Sequence, residues 1–144
     1  MDPILALHIF AVIFWAGILA VETVIELQSG KLGAEAEYTL ARYHFLIDTR
    51  LEIPTFMTVL ITGFILFDPA QFQGIYAVKV VCGVLGVLAN MYCVLPVMQR
   101  KAAAERGDYA AVEHQSRLIF RTIVGFTFIL IALGIGLYWL ISGR

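Results

Sequence analysis

Charge is what this chain has least of. Asp, Glu, Lys and Arg make up 15% of its 144 residues, where a soluble domain carries about 25%. Net charge is −1 and the longest basic run is Arg100-Lys101. Nothing supplies the dense positive surface that a phosphate backbone requires, so nucleic-acid binding is excluded. Cysteine is nearly absent. Cys82 and Cys93 stand eleven residues apart in one apolar stretch, on nearly one helix face but too far along it to bridge each other. They read as small apolar packing residues, with a soft-metal role as the alternative. No Lys or Arg precedes the first apolar run, and that run ends in Glu22 rather than in small residues suited to cleavage. A secretory signal is therefore not expected. Low-complexity tracts and sequence repeats are also missing.

What the chain has is apolar residue. The set AVILMFWYC reaches 60%, above the roughly 45–50% of a globular chain even with Gly counted. A domain this small cannot hide that much apolar surface, so the excess must face lipid. Four stretches hold it, over residues 4–21, 53–67, 75–97 and 118–141. A span needs about 20 apolar residues at 1.5 Å each. The second stretch is short, so its helix is expected to start near Glu37 with a polar first half at the interface. The expected fold class is an all-α integral membrane protein. It is one membrane domain over 1–144, an antiparallel four-transmembrane-helix bundle with spans at about 4–26, 39–67, 74–98 and 109–141. Phe72, Tyr76, Tyr92, Tyr138 and Trp139 suit the aromatic belts. Pro3 suits a helix start, Asp108 an N-cap behind Gly107, and Pro54 and Pro96 helix ends or kinks.

Basic residues set the orientation. Lys31, Arg42 and Arg50 fall between the first two spans, and Arg100, Lys101, Arg106 and Arg117 between the last two. The amino end and the 68–73 turn have none, and the carboxyl end has Arg144 alone. Both basic segments then lie in the cytoplasm, with N-out and C-out topology in a membrane such as the bacterial inner membrane.

Ionisable side chains at membrane depth cost roughly 2.5–3.5 kcal/mol each on insertion scales, so they carry the functional reading. On the first helix His8, Trp15 and Glu22 recur every seven residues and share a face, which Glu26 continues. On the second, His44, Asp48 and Glu52 follow at successive i, i+4 steps, with Thr55 and Thr62 beyond. Lys79, Gly83, Gly86, Asn90 and Cys93 form a stripe on the third, and His114, Arg117, Arg121 and Gly125 on the fourth. Each stripe is expected to face inward. Depth sorts them into an outer pair, His8 and Lys79, and an inner cluster of Glu22, Glu26, His44, Asp48, Glu52, His114, Arg117 and Arg121. His8, His44, Glu22, Glu52 and His114 are the candidate metal ligands. Their spacing lacks the Glu-x-x-His of di-metal bundles. Arg117 and Arg121 can alternatively neutralise Glu22 and Glu52 as a boundary salt-bridge belt. Lys79 reads as a snorkelling lysine or as the partner of a substrate carboxylate, and Trp15 as packing or cofactor contact.

His8, Trp15 and Gly17, then Pro54 with Thr62-Gly63, then Lys79 and Asn90 form a sparse pattern across residues 4–95. It resembles the HemJ-type protoporphyrinogen oxidases and the copper-resistance CopD-type membrane domains. The HemJ resemblance implies a four- or five-helix membrane protein that binds haem b and oxidises protoporphyrinogen IX to protoporphyrin IX. It implies His8 as haem ligand and Lys79 as the catalytic residue, paired with an anionic porphyrin group; Trp15 and Asn90 are further candidate cofactor contacts. Partners would be the bilayer, a porphyrin or quinone, and a homo-oligomer or larger membrane complex. The CopD resemblance implies copper or another metal, bound or transported. The chain departs from the HemJ pattern at Ile18-Leu19-Ala20-Val21-Glu22-Thr23, and has Asn90-Met91-Tyr92 where that family carries a further His. A third expectation is an accessory subunit without chemistry of its own.

Overall fold

The computed structural model of the chain describes residues 2–28, 31 and 33–142; Met1, Arg144 and the side chain of Tyr138 lie outside the described residues. Regular structure among them is entirely helical. The first helix, α1 (Pro3–Gln28), opens on proline, with Asp2 Oδ1 accepting from the Ile4 N–H at 2.8 Å. Proline has no N–H to waste there, and the aspartate satisfies one of the orphan donors behind it. Gly33, at φ 84°, precedes α2 (Ala34–Ile47).

From α2 the chain runs through a π-helical turn, Asp48–Glu52, straight into α3 (Ile53–Ile65), without leaving the helical region. Pro54 explains the wide turn. Its ring would strike the carbonyl four residues back and it has no N–H to offer it, so the ladder opens just upstream. The Ile53 N–H bonds instead to the Asp48 carbonyl, five residues back.

Asp68 caps a 3₁₀ turn at Pro69–Gln71, accepting from Ala70 N–H at 3.0 Å, before α4 (Gly74–Glu105). The next reversal is made by Gly107, at φ 72°, a left-handed position that suits glycine. Asp108 then caps α5 (Tyr109–Thr122) by accepting from Ala111 N–H at 3.1 Å, as its sequence context predicts. A second π turn, Ile123–Thr127, leads into α6 (Phe128–Ser142).

Three helical runs are long and apolar enough to cross a membrane: Pro3–Gln28, Gly74–Glu105 and Tyr109–Leu137. The α2–α3 run is long enough, but its first half carries charge and its apolar part is the 13 residues of α3. Helix α1 packs on α3, and α4 packs on α2, α5 and α6. Trp15, Leu19, Phe56, Val59, Val87, Val97, Ile119 and Ile123 fill the core between them. Gly86 permits the close approach, since a methyl there would sit 3.7 Å from Leu130 Cβ and 3.9 Å from the Trp15 ring. The outward faces hold Phe10, Ile13, Phe64, Leu95 and Ile129 in the open, Phe64 at 81% exposure. A surface this apolar suits lipid contact.

One helix turns a different face inward than its stripe predicts. On α5, His114, Arg117 and Arg121 are exposed, as is Gly125 beyond them. The buried positions are Val112, Ser116, Ile119, Ile123 and Thr127. Val112 packs against Ala41, Ala103 and Ala104, and that contact sets the rotation of the helix. Burying His114, Arg117 and Arg121 there instead would need polar partners that the alanine contact does not offer.

Candidate metal centre

The structure gathers ionisable side chains from the later parts of α1 and α4 and from the last turn of α2 into the π turn. Helix α1 contributes Glu22 and Glu26, one turn apart; α2 contributes His44; the π turn contributes Asp48 and Glu52; α4 contributes Arg100. In a regular α-helix each i, i+4 step drifts about 40° around the axis, so residues 44, 48 and 52 would fan apart. The wider π turn takes up the drift. His44, Asp48 and Glu52 therefore all end up buried, on the face that continues to Phe56. π turns recur at functional sites for this reason.

The His44 ring divides the cluster. Its Nδ1 lies 2.7 Å from Glu26 Oε1, and that same oxygen forms a short ion pair with Arg100 Nη1. Arg100 Nη2 lies 3.6 Å from Glu37 Oε2. On this side two carboxylates meet a built-in cation. On the other side His44 Nε2 faces Asp48 Oδ1 at 3.3 Å and Glu22 Oε2 at 3.9 Å. Among the described residues no lysine or arginine forms an ion pair with Glu22 or Asp48. Glu22 is 1% exposed and neither of its oxygens meets a hydrogen-bond donor; the same holds for Asp48 Oδ1. A buried carboxylate stays charged only when paired or bound to metal, and otherwise takes up a proton. Ligand atoms of Glu22, His44 and Asp48 all lie within 4.8 Å of one another, close enough for a single cation to draw them in.

Glu52 sits at the edge of this group. It accepts a hydrogen bond from Trp15 Nε1 at 3.2 Å and has Asn90 beside it. Trp15 and Asn90, the two candidate cofactor contacts, thus lie beside the carboxylates. Arg117 and Arg121 do not neutralise Glu22 and Glu52: Arg117 pairs with Glu113 at 3.8 Å on the exposed side of α5, a contact of small energetic value. His114 is exposed on the same helix and stands apart from the cluster. The sequence places Arg100 in a basic loop; in the structure it is fully buried inside α4 and supplies the charge. Its signal was present, because Asn90, Cys93, Val97 and Arg100 continue one stripe at three- and four-residue steps. Cys93 is buried and Cys82 half-buried, both as free thiols.

His8 stands toward the opposite end. Its Nδ1 lies 2.9 Å from Thr62 Oγ1. The Thr62 hydroxyl proton goes to the Thr58 carbonyl at 2.6 Å, so toward His8 the oxygen accepts and Nδ1 carries the hydrogen. Nε2 then presents a lone pair. Gly63 leaves room for the ring, since a methyl there would lie 3.2 Å from His8 Cε1. Lys79, half-buried on α4, is near enough for its charge to act on His8. A histidine fixed at Nδ1 with Nε2 available fits an axial haem ligand. Compared with protein-family models, curated proteins and solved structures, the chain matches none.

Proposed function

We propose that this chain is an integral membrane protein that holds one divalent first-row metal ion inside a four-span bundle. Glu22, His44 and Asp48 are the ligands, with Glu52 at the margin. The observation that carries the reading is the contrast across the His44 ring, where the Glu26 side has Arg100 and the Glu22–Asp48 side has acceptors turned toward one another. Carboxylate oxygens with one imidazole suit Fe(II), Mn(II) or Zn(II). Neither cysteine belongs to the group of converging ligand atoms, so the donor set does not favour Cu(I). The α2–α3 run serves as the fourth span, with its charged first half at the interface. Counting Lys and Arg places the centre toward the cytoplasmic side of a bacterial inner membrane, with both termini outside. Elemental analysis of the protein purified from membranes tests this. About one equivalent of metal is expected in the wild type, and little in Glu22→Gln/Asp48→Asn; equal metal in both would remove the site.

A second reading is favoured by the Thr62–His8 bond: a haem b held by His8 through Nε2, as the HemJ resemblance implies. Lys79 would pair with an anionic group of the haem or of a porphyrin substrate. When bound, the haem supplies one-electron chemistry, with a porphyrin or quinone as reaction partner. A Soret band lost in His8→Ala supports that reading, and a colourless protein from haem-supplemented cells discards it.

A further inference from the structure

We propose, resting on the cation site above, that Glu26 and Arg100 are positioning residues that make His44 bind the ion through Nε2. Glu26 Oε1 receives two donors, His44 Nδ1 at 2.7 Å and Arg100 Nη1 in a short ion pair. Arg100 Nη1 also lies 3.3 Å from Nδ1, but the carboxylate stands closer, at 2.7 Å. A carboxylate paired with a guanidinium is an acceptor only, so the hydrogen between it and the ring belongs to Nδ1. In the neutral, metal-binding ring Nε2 then carries the lone pair, and it faces Asp48 and Glu22. A histidine ligand whose other nitrogen is bound to a carboxylate is held in tautomer and orientation.

Arg100 holds Glu26 in turn. It is fully buried and also pairs with Glu37 at 3.6 Å, so Glu26 is tethered on the Nδ1 side of the ring. Free of Arg100, the Glu26 carboxylate could swing across and compete as a ligand. The three groups come from α1, α2 and α4, so the ring orientation is set by the packing of three helices. Neither Glu26 nor Arg100 touches the ion.

The full chain in detergent micelles, labelled with ¹⁵N at its three histidines, is titrated with Zn(II) and followed by long-range proton–nitrogen NMR. The expected wild-type spectrum shows His44 with Nδ1 protonated and Nε2 on the metal. Glu26→Leu removes the acceptor, should weaken Zn(II) binding about 10–100-fold, and frees the ligating nitrogen to change. Glu26→Gln keeps an amide oxygen that Arg100 orients toward the ring, so Nε2 ligation survives. A purely electrostatic role predicts that the two variants behave alike, because both lose the same charge. Zn(II) on Nδ1 in the wild type overturns the assignment by itself, whether or not Glu26→Leu folds. Like behaviour of the two variants, with Nε2 ligation in both, also overturns it. If the wild type takes up no Zn(II), the cation site falls as well, which separates that failure from the others.

Discussion

At Asp48, removing one negative charge acts in opposite directions with and without a cation. In the metal-free protein Asp48 Oδ1 is buried without a hydrogen-bond donor and close to Glu22. Asp48→Asn relieves that crowding and should stabilise the metal-free form by about 1–3 kcal/mol. Manganese at a hundred times its Kd should add about 2.7 kcal/mol to the wild type, and far less to the variant. Thermal unfolding in detergent with and without Mn(II) reads both effects. Thr62→Val is a milder change, because it removes the acceptor of a half-buried His8 Nδ1–H; about 1 kcal/mol of lost stability is expected in the same assay. Glu22, His44 and Glu52 were legible in the sequence because ionisable groups are costly in apolar helices, and their regular steps put them on one inward face. Arg100 lies on such a stripe too, but a basic residue near a helix end is ordinarily counted with the loop. Trp15 was legible as an inward residue, but its partner, Glu52, lies 37 positions away and periodicity carries no such information.

Among the elements, the π turn at Asp48–Glu52 makes the sharpest demand. Deleting Thr49 removes one residue from the wide turn and leaves Pro54 in place. Without Thr49 the run closes into a regular helix in which Glu52, now seven residues from His44, stays on its face, while Asp48, four residues on, drifts about 40° off it. Far-UV circular dichroism should still report a helical protein, while metal content drops to background. An unchanged metal content in the deletion variant would show that the turn does not set the register of the site. Pro54 was legible as a helix-shaping residue; the extra residue in the turn was not, because a π turn has no composition of its own. Helix α4 offers a second case. Gly86→Ala places its methyl at ordinary contact distance from Leu130 and Trp15 and should be tolerated. Gly86→Leu overfills the contact and should cost about 1–3 kcal/mol in thermal unfolding. Helix α5 shows the limit of reading stripes: His114, Arg117 and Arg121 repeat as regularly as a core face, and the alanine contact around Val112 turns them outward.

For the whole molecule, composition points to lipid as the solvent of the outer faces, and three helical runs among the described residues are long and apolar enough to cross a bilayer. The α2–α3 run is divided between a charged half that contributes to the candidate site and an apolar half that packs on α1. That division was visible in the sequence as a short apolar stretch behind a polar helix. The inward charge was not visible as a balanced arrangement, because balance depends on which helices meet. With Glu26 and Glu37 both paired to the one Arg100, Glu22 and Asp48 are left facing one imidazole. The direct measurement is a titration of the detergent-purified wild type and Asp48→Asn with Co(II), following its visible absorption. The wild type should saturate at about one Co(II) per chain and Asp48→Asn should bind far more weakly; equal uptake by both, or none by the wild type, would contradict a metal centre at Glu22, His44 and Asp48.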